Sequence, residues 1–135
     1  MNVSSEGSVL VDAEGDVVKA RRKGRELATA LGFSSTDQTL IATAISEITR
    51  NIVRYAGRGL VAFSRIERQG RCGIEIVASD DGPGIADIEI AMRDGYSTGK
   101  SLGVGLPGAR RLVDEFEIVS NVGVGTTVTL RKWLR

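Results

Sequence analysis

The sequence contains no histidine in 135 residues. That absence removes the commonest metal ligand, the commonest general base and any relay through a phosphohistidine. Cysteine is nearly absent too. The lone Cys72 cannot form an internal disulfide, which fits a reducing cytoplasm. No apolar run approaches the roughly 18 residues that a membrane-spanning helix needs. The N-terminal MNVSSEGS has neither a charged start nor an apolar stretch, so no secretory signal is expected. Excess charge is missing as well. The 18 basic and 17 acidic residues leave a formal +1, which gives no global field to draw a polyanion, so nucleic acid is not an expected partner.

What remains is the composition of a soluble domain, 41% hydrophobic and 26% charged, at a length suited to one domain over residues 1–135. Glycine is plentiful, with 17 residues, many of them clustered at Gly82–Gly84, Gly95–Gly108 and Gly123–Gly125. Clustered glycine lets a backbone bend sharply or approach a ligand closely.

Hydrophobic periodicity orders the chain. Ser8–Asp12 reads as a first strand. Val17, Ala20, Gly24, Leu27, Ala28 and Leu31 recur at helical spacing and predict a helix over 14–31, stopped by Gly32. Its outer face carries Lys19, Arg21, Arg22, Lys23 and Arg25, either a solvated face or a docking surface. A second helix opens at Ser35 among capping residues, buries Ile41, Ala44, Ile45, Ile48 and Ile52, and ends at Gly57. Residues 60–68 and 72–79 alternate as a β-hairpin, with Ile74, Ile76 and Ala78 on one face. A turn at 80–85, a short helix at 87–93, a loop at 95–103 and a helix at 104–115 follow. Strands at 116–120 and 126–133 close the chain around a turn at 121–125, and Trp133 reads as core. The expected architecture is an α/β two-layer sandwich, a mostly antiparallel sheet covered on one face by helices.

Three elements carry chemistry. Glu47 and Asn51 stand four apart on the second helix and share a face. An asparagine oxygen can ligate Mg²⁺ arriving with phosphates, and a carboxylate one turn away can take a proton from a hydroxyl. The same spacing is also common on ordinary helix surfaces. Asp80-Asp81-Gly82-Pro83-Gly84 follows a strand, so its first carboxylate could accept hydrogen bonds from an exocyclic amine while the glycines wrap the base. A plain turn uses the same residues. Gly103-Val104-Gly105-Leu-Pro-Gly108 opens a helix, where freed backbone amides bind phosphate. Although it matches GxGxxG, no apolar strand precedes it and no acidic residue closes a second strand, so the dinucleotide-binding reading fails. Gly95-Tyr-Ser-Thr-Gly99-Lys100-Ser101 misses the P-loop spacing by one residue.

In order and on the expected elements, these boxes resemble the GHKL ATP-binding family of gyrase, Hsp90, histidine kinases and MutL. Glu47 and Asn51 match its N-box, Asp80, Gly82 and Gly84 its DxGxG box, Gly103 and Gly105 its second glycine box, and Gly123-Val-Gly125-Thr126 its final Gly-Thr element. The resemblance implies the Bergerat fold, ATP and Mg²⁺. Asp80 would fix adenine with support from Thr126, direct or through water. Asn51 would hold Mg²⁺. Gly103, Val104, Gly105 and neighbouring amides would cradle the phosphates, with Gly99 and Lys100 in the loop over them. Glu47 would be the catalytic base.

Full histidine kinases need a phosphorylated histidine, and gyrase- and Hsp90-like proteins need further domains. The resemblance therefore narrows to stand-alone kinases of bacterial partner switching. It implies serine/threonine phosphorylation of STAS-domain scaffold proteins of the stressosome, then binding and activation of a PP2C-type phosphatase. Sister anti-sigma-factor kinases commonly carry histidine where Tyr55 stands, which favours the switch-kinase branch. An anti-sigma factor with kinase activity and a pure binding module are the alternatives.

Overall fold

The computed structural model describes residues 1–92 and 105–135. Its elements run β1 (Asn2–Val11), α1 (Gly15–Leu31), α2 (Ser35–Tyr55), β2 (Gly59–Arg68), β3 (Arg71–Asp80), α3 (Ile88–Ala91), α4 (Gly105–Arg111), β4 (Glu115–Asn121) and β5 (Gly125–Trp133). Among the described residues the strands form one sheet in the order β1-β2-β3-β5-β4, every neighbouring pair antiparallel. The expected helix-covered antiparallel sheet is thus what the chain forms.

The helices form where the sequence supplies caps and an apolar stripe. Ser34 Oγ accepts the Asp37 N–H at 3.1 Å and satisfies one of the free donors that open α2. Ala56 and Gly57 both donate their N–H to the Ile52 carbonyl at 2.9 Å, and Gly57 takes the left-handed φ of 88° that ends the helix. Before α1, the Asp16 carboxylate accepts the N–H groups of Asp12 at 2.9 Å and Ala13 at 3.1 Å, so Asp12 belongs to the helix start and not to the strand.

Ala20 and Ala28 of α1, Ile41, Ala44, Ile45, Ile48 and Ile52 of α2, and Leu106 and Ala109 of α4 meet Val61, Phe63, Ile74, Ile76, Ala78, Val128 and Leu130 of the sheet in one buried cluster. Gly24 lets α1 approach α2 closely, since a Cβ there would run into Ile45 Cδ1.

Two expectations change by several residues, while Trp133 is buried as expected. β1 begins at Asn2 rather than Ser8 and passes a bulge between Ser5 and Gly7. Its first residues are exposed on both faces, so they lack the alternation that marks a half-buried strand. The helix expected to reach Glu115 ends at Arg111. Asp114 donates its N–H to the Arg131 carbonyl at 3.0 Å, which starts β4 beside β5. Trp133 is buried, at 5% exposure, but stands outside the helix-side cluster. Alternation along β5 puts it on the opposite face. There its Nε1–H donates to Glu115 Oε2 at 2.7 Å and the Arg68 guanidinium lies 4.9 Å from its ring centroid.

Candidate functional site

Register builds the site. Gly59 pairs with Asp80, Asp80 with Thr126, and Thr126 with Ser120, a single row across β2, β3, β5 and β4. The next row is Val61, Ala78, Val128 and Ile118, three of which are fully buried under the helices. Side chains alternate along each strand, so Asp80, Thr126 and Ser120 project to the helix-covered side at the end of the sheet.

Asp80 is half-buried, and its Oδ1 accepts the Gly82 N–H at 2.9 Å. That bond fixes the carboxylate and commits one oxygen to the loop. A ligand amine would meet the other. Thr126 is 5% exposed. Its Oγ1 lies 2.7 Å from Ser120 Oγ.

The glycines act through close approach. A Cβ on Gly82 would meet Ala56 Cβ at 2.6 Å, so the loop after β3 packs directly on the end of α2. Gly125 has φ 144°, and a Cβ there would overlap the Asp80 carbonyl oxygen. The turn at 121–125 is tied to the same loop, because Gly123 donates its N–H to the Pro83 carbonyl at 2.9 Å. The DxGxG and Gly-Thr elements, separated by some forty residues of sequence, are one structural unit.

α2 carries Glu47 and Asn51 over this end of the molecule. Glu47 is 6% exposed, and its Oε1 accepts from Arg50 Nη1 at 2.9 Å. Arg50 was not singled out by the sequence, nor was Ser120. Asn51 is half-buried, and among the described residues its side-chain amide makes no hydrogen bond. It is a hard oxygen donor of the kind Mg²⁺ accepts when phosphates supply further ligands, so the donor chemistry fits. Gly105 opens α4 with φ 47°, and α4 packs on α2 through Leu106 and Ala109. Gly99, Lys100, Gly103 and Val104 lie outside the described residues.

Lys132 is a third residue the sequence did not flag. It lies on the helix side of β5, 6% exposed, and its Nζ donates to the Leu112 carbonyl at 3.0 Å. The same nitrogen is 3.9 Å from Asp37 Oδ1, so one buried cation ties the end of α4 to the first turn of α2.

The family model described as histidine kinase-, DNA gyrase B-, and HSP90-like ATPase matches residues 36–135. Serine/threonine-protein kinase RsbT of Bacillus subtilis (strain 168) is 47% identical over 133 residues, covering 98% of this chain and 100% of its own. An anti-sigma F factor of Halalkalibacterium halodurans is 34% identical over 105 residues, 73% of this chain and 70% of its own. Another, from Caldanaerobacter subterraneus subsp. tengcongensis, is 30% identical over 100 residues, 70% of this chain and 68% of its own. The chain belongs to the histidine kinase-, DNA gyrase B- and HSP90-like ATPase family, within its RsbT-like serine/threonine-kinase branch.

Proposed function

We propose that the chain is an ATP-dependent serine/threonine-protein kinase of a bacterial partner-switching system. Its acceptors would be STAS-domain scaffold proteins of a stressosome, and once released it would bind and activate a PP2C-type phosphatase. The name and full-length match of RsbT, together with the anti-sigma F factors among its relatives, support this reading. The observation that carries it is the row of Asp80 and Thr126 at the sheet end, joined through Gly82 to the helix that bears Glu47 and Asn51.

In this reading Asp80 accepts the adenine amine and Thr126 supports the base. Gly82 and Gly84 bring backbone close to it. Gly103, Val104 and Gly105 hold the phosphates, with Gly99 and Lys100 in the loop over them. Asn51 would hold Mg²⁺, which neutralises phosphate charge when bound. Glu47 takes the proton of the acceptor hydroxyl. The hydroxyl oxygen bonds to the γ-phosphorus, the bond from that phosphorus to the bridging oxygen breaks, and ADP leaves. Positioning and charge neutralisation supply most of the rate, with roughly 10²–10⁴-fold from the base.

A phosphoryl group adds about −1.5 to −2 of charge at the scaffold interface, enough to repel a docked kinase. No helix among the described residues is long and apolar enough to cross a membrane. Action in the cytoplasm belongs to the proposal.

The test is transfer of labelled γ-phosphate from ATP to candidate STAS-domain proteins. Labelled acceptor is expected with the native chain, and far slower labelling with the Glu47→Ala variant. Absence of transfer from an ATP-binding native chain would favour a pure binding module. The anti-sigma F factor relatives favour a second reading, an anti-sigma factor that phosphorylates a STAS-domain antagonist. Pull-down from native lysate separates the two: a sigma factor in one case, a scaffold with a phosphatase in the other.

A further inference from the structure

Arg50 stands in the C-terminal half of α2, three residues after Glu47 and one before Asn51. Its Nη1 donates to Glu47 Oε1 at 2.9 Å, and among the described residues this is the one hydrogen bond that the Glu47 side chain makes. Glu47 is 6% exposed and Arg50 31%. On its outer side the guanidinium reaches Glu14 Oε1, at 4.0 Å, and the Glu14 side chain is 72% exposed. One cation thus lies between a buried carboxylate on α2 and a solvated one just before α1.

A general base has two requirements. It must carry its charge, and its free oxygen must point to where the proton will be. A buried glutamate meets neither by itself, because burial favours the neutral acid and the side chain can rotate. Arg50 supplies both. Residues three apart neighbour each other on a helix surface, so the cation is delivered to Glu47 by α2 itself. Its hydrogen bond takes Oε1 and leaves Oε2 turned away from it. The guanidinium is planar and always charged, which suits it to orient a carboxylate as well as to neutralise one. Glu14 steadies the far side of the guanidinium, weakly, since that contact is solvated.

We infer that Arg50 is a positioning residue for phosphoryl transfer, holding the Glu47 carboxylate charged and turned so that Oε2 meets the acceptor hydroxyl. The hydroxyl proton passes to Oε2 as its oxygen bonds to the γ-phosphorus and ADP leaves. The inference rests on the proposed role of Glu47 as base and adds the group that makes this role possible. A cation beside Asn51 could instead serve the nucleotide. The two roles differ in what they change: positioning of the base alters transfer alone, whereas a nucleotide contact alters ATP affinity.

The experiment is single-turnover transfer of labelled γ-phosphate, at saturating ATP, to a STAS-domain protein that the native chain labels, with calorimetric ATP binding on the same preparations. Arg50→Met should slow transfer by about 10- to 100-fold, the cost of a base that is present but misplaced, and leave ATP affinity unchanged. Arg50→Lys keeps the charge without the planar fork and should recover part of the rate. Arg50→Gln, which keeps a donor without the charge, should be slowed as well and covers a methionine variant that folds poorly. The loss should vanish where there is no base to position, so Glu47→Ala and the Glu47→Ala/Arg50→Met double variant should transfer at one rate. A loss that multiplies in the double variant would overturn the inference. So would native-rate transfer by both Arg50→Met and Arg50→Gln, or a fall in their ATP affinity that matches the slowed transfer. Native-rate transfer by Glu47→Ala would be a different failure, that of the base itself.

Discussion

Arg50 Nη1 lies 2.9 Å from Glu47 Oε1, so the carboxylate proposed as the base is already paired within its own helix. Glu47 is 6% exposed, and a carboxylate buried that deeply needs a partner to remain charged. Arg50 is 31% exposed and also reaches Glu14 Oε1 at 4.0 Å, at the start of α1. The pair leaves Glu47 Oε2 without a hydrogen bond among the described residues, and that is the oxygen the proposed base would offer an incoming hydroxyl.

Replacing Glu47 by alanine should reduce phosphoryl transfer by roughly 10²–10⁴-fold, the ordinary worth of a positioned base. ATP affinity should change little, because the base does not hold the nucleotide. Single-turnover transfer and calorimetry on the same preparation check the two halves. Native-rate transfer would take Glu47 out of the base role.

Arg50→Met should destabilise the fold by about 1–3 kcal/mol, less than a fully buried pair because the guanidinium is partly solvated. Most of that loss comes from the Glu47 charge left alone in a buried position. Adding Glu47→Gln to the Arg50→Met background should therefore recover stability, as urea unfolding midpoints would register. Additive losses in the double variant would show that the two side chains do not interact.

A methyl group at position 125 tests the joint between the two loops of the site. Gly125 has φ 144° and stands against the Asp80 carbonyl, so Gly125→Ala must move one strand off the other. A stability loss of about 1–3 kcal/mol is expected. ATP affinity should fall with it, since Gly125 adjoins Thr126, the register partner of Asp80. Thermal unfolding and calorimetry read the two effects.

Acid sensitivity has identified sources. The Trp133 indole N–H, with Arg68 and Arg131 beside it, holds the Glu115 carboxyl below its usual range. Hydrogen bonds from Asp12, then Ala13, do the same for Asp16, with the Lys19 charge adding to them. A depressed folded-state pKa means the folded protein binds the proton more weakly than the unfolded chain. The stability these groups contribute is complete above the ordinary carboxylate range and is lost as pH falls through it toward the folded values. Glu115→Gln should therefore flatten the acid limb of the unfolding profile. The single Trp133 contacts Glu115, so its fluorescence follows the transition directly. An unchanged acid limb in that variant would remove Glu115 as a source.

Much of the fold was legible because periodicity and punctuation agreed. The stripe from Ile41 to Ile52, the capping residues around Ser35 and Gly57 marked α2 within two residues of its bounds. The hairpin of β2 and β3 showed its alternation and its Gln69-Gly70 turn. The end of α4 was not legible, since Val113 and Phe116 continue a helical spacing that strand pairing with β5 overrides. The motif residues could be read because each box is local in sequence. Ser120 could not, because its contacts arise from cross-strand register with Thr126 and a hydrogen bond from Ile85, 35 residues away. Arg50 sat inside a motif, yet only the burial of Glu47 shows why a cation is needed there. Trp133 reads as core from its chemistry alone, and it is the alternation along β5 that assigns it to the opposite face of the sheet.

The central claim is that Asp80 recognises adenine, and calorimetric titration of ATP into Asp80→Asn tests it most directly. An amide at this position can turn its NH₂ toward the ligand amine and meet donor with donor. Loss of measurable ATP binding in a variant that unfolds at the native temperature is the predicted result. Native affinity in that variant would contradict the account.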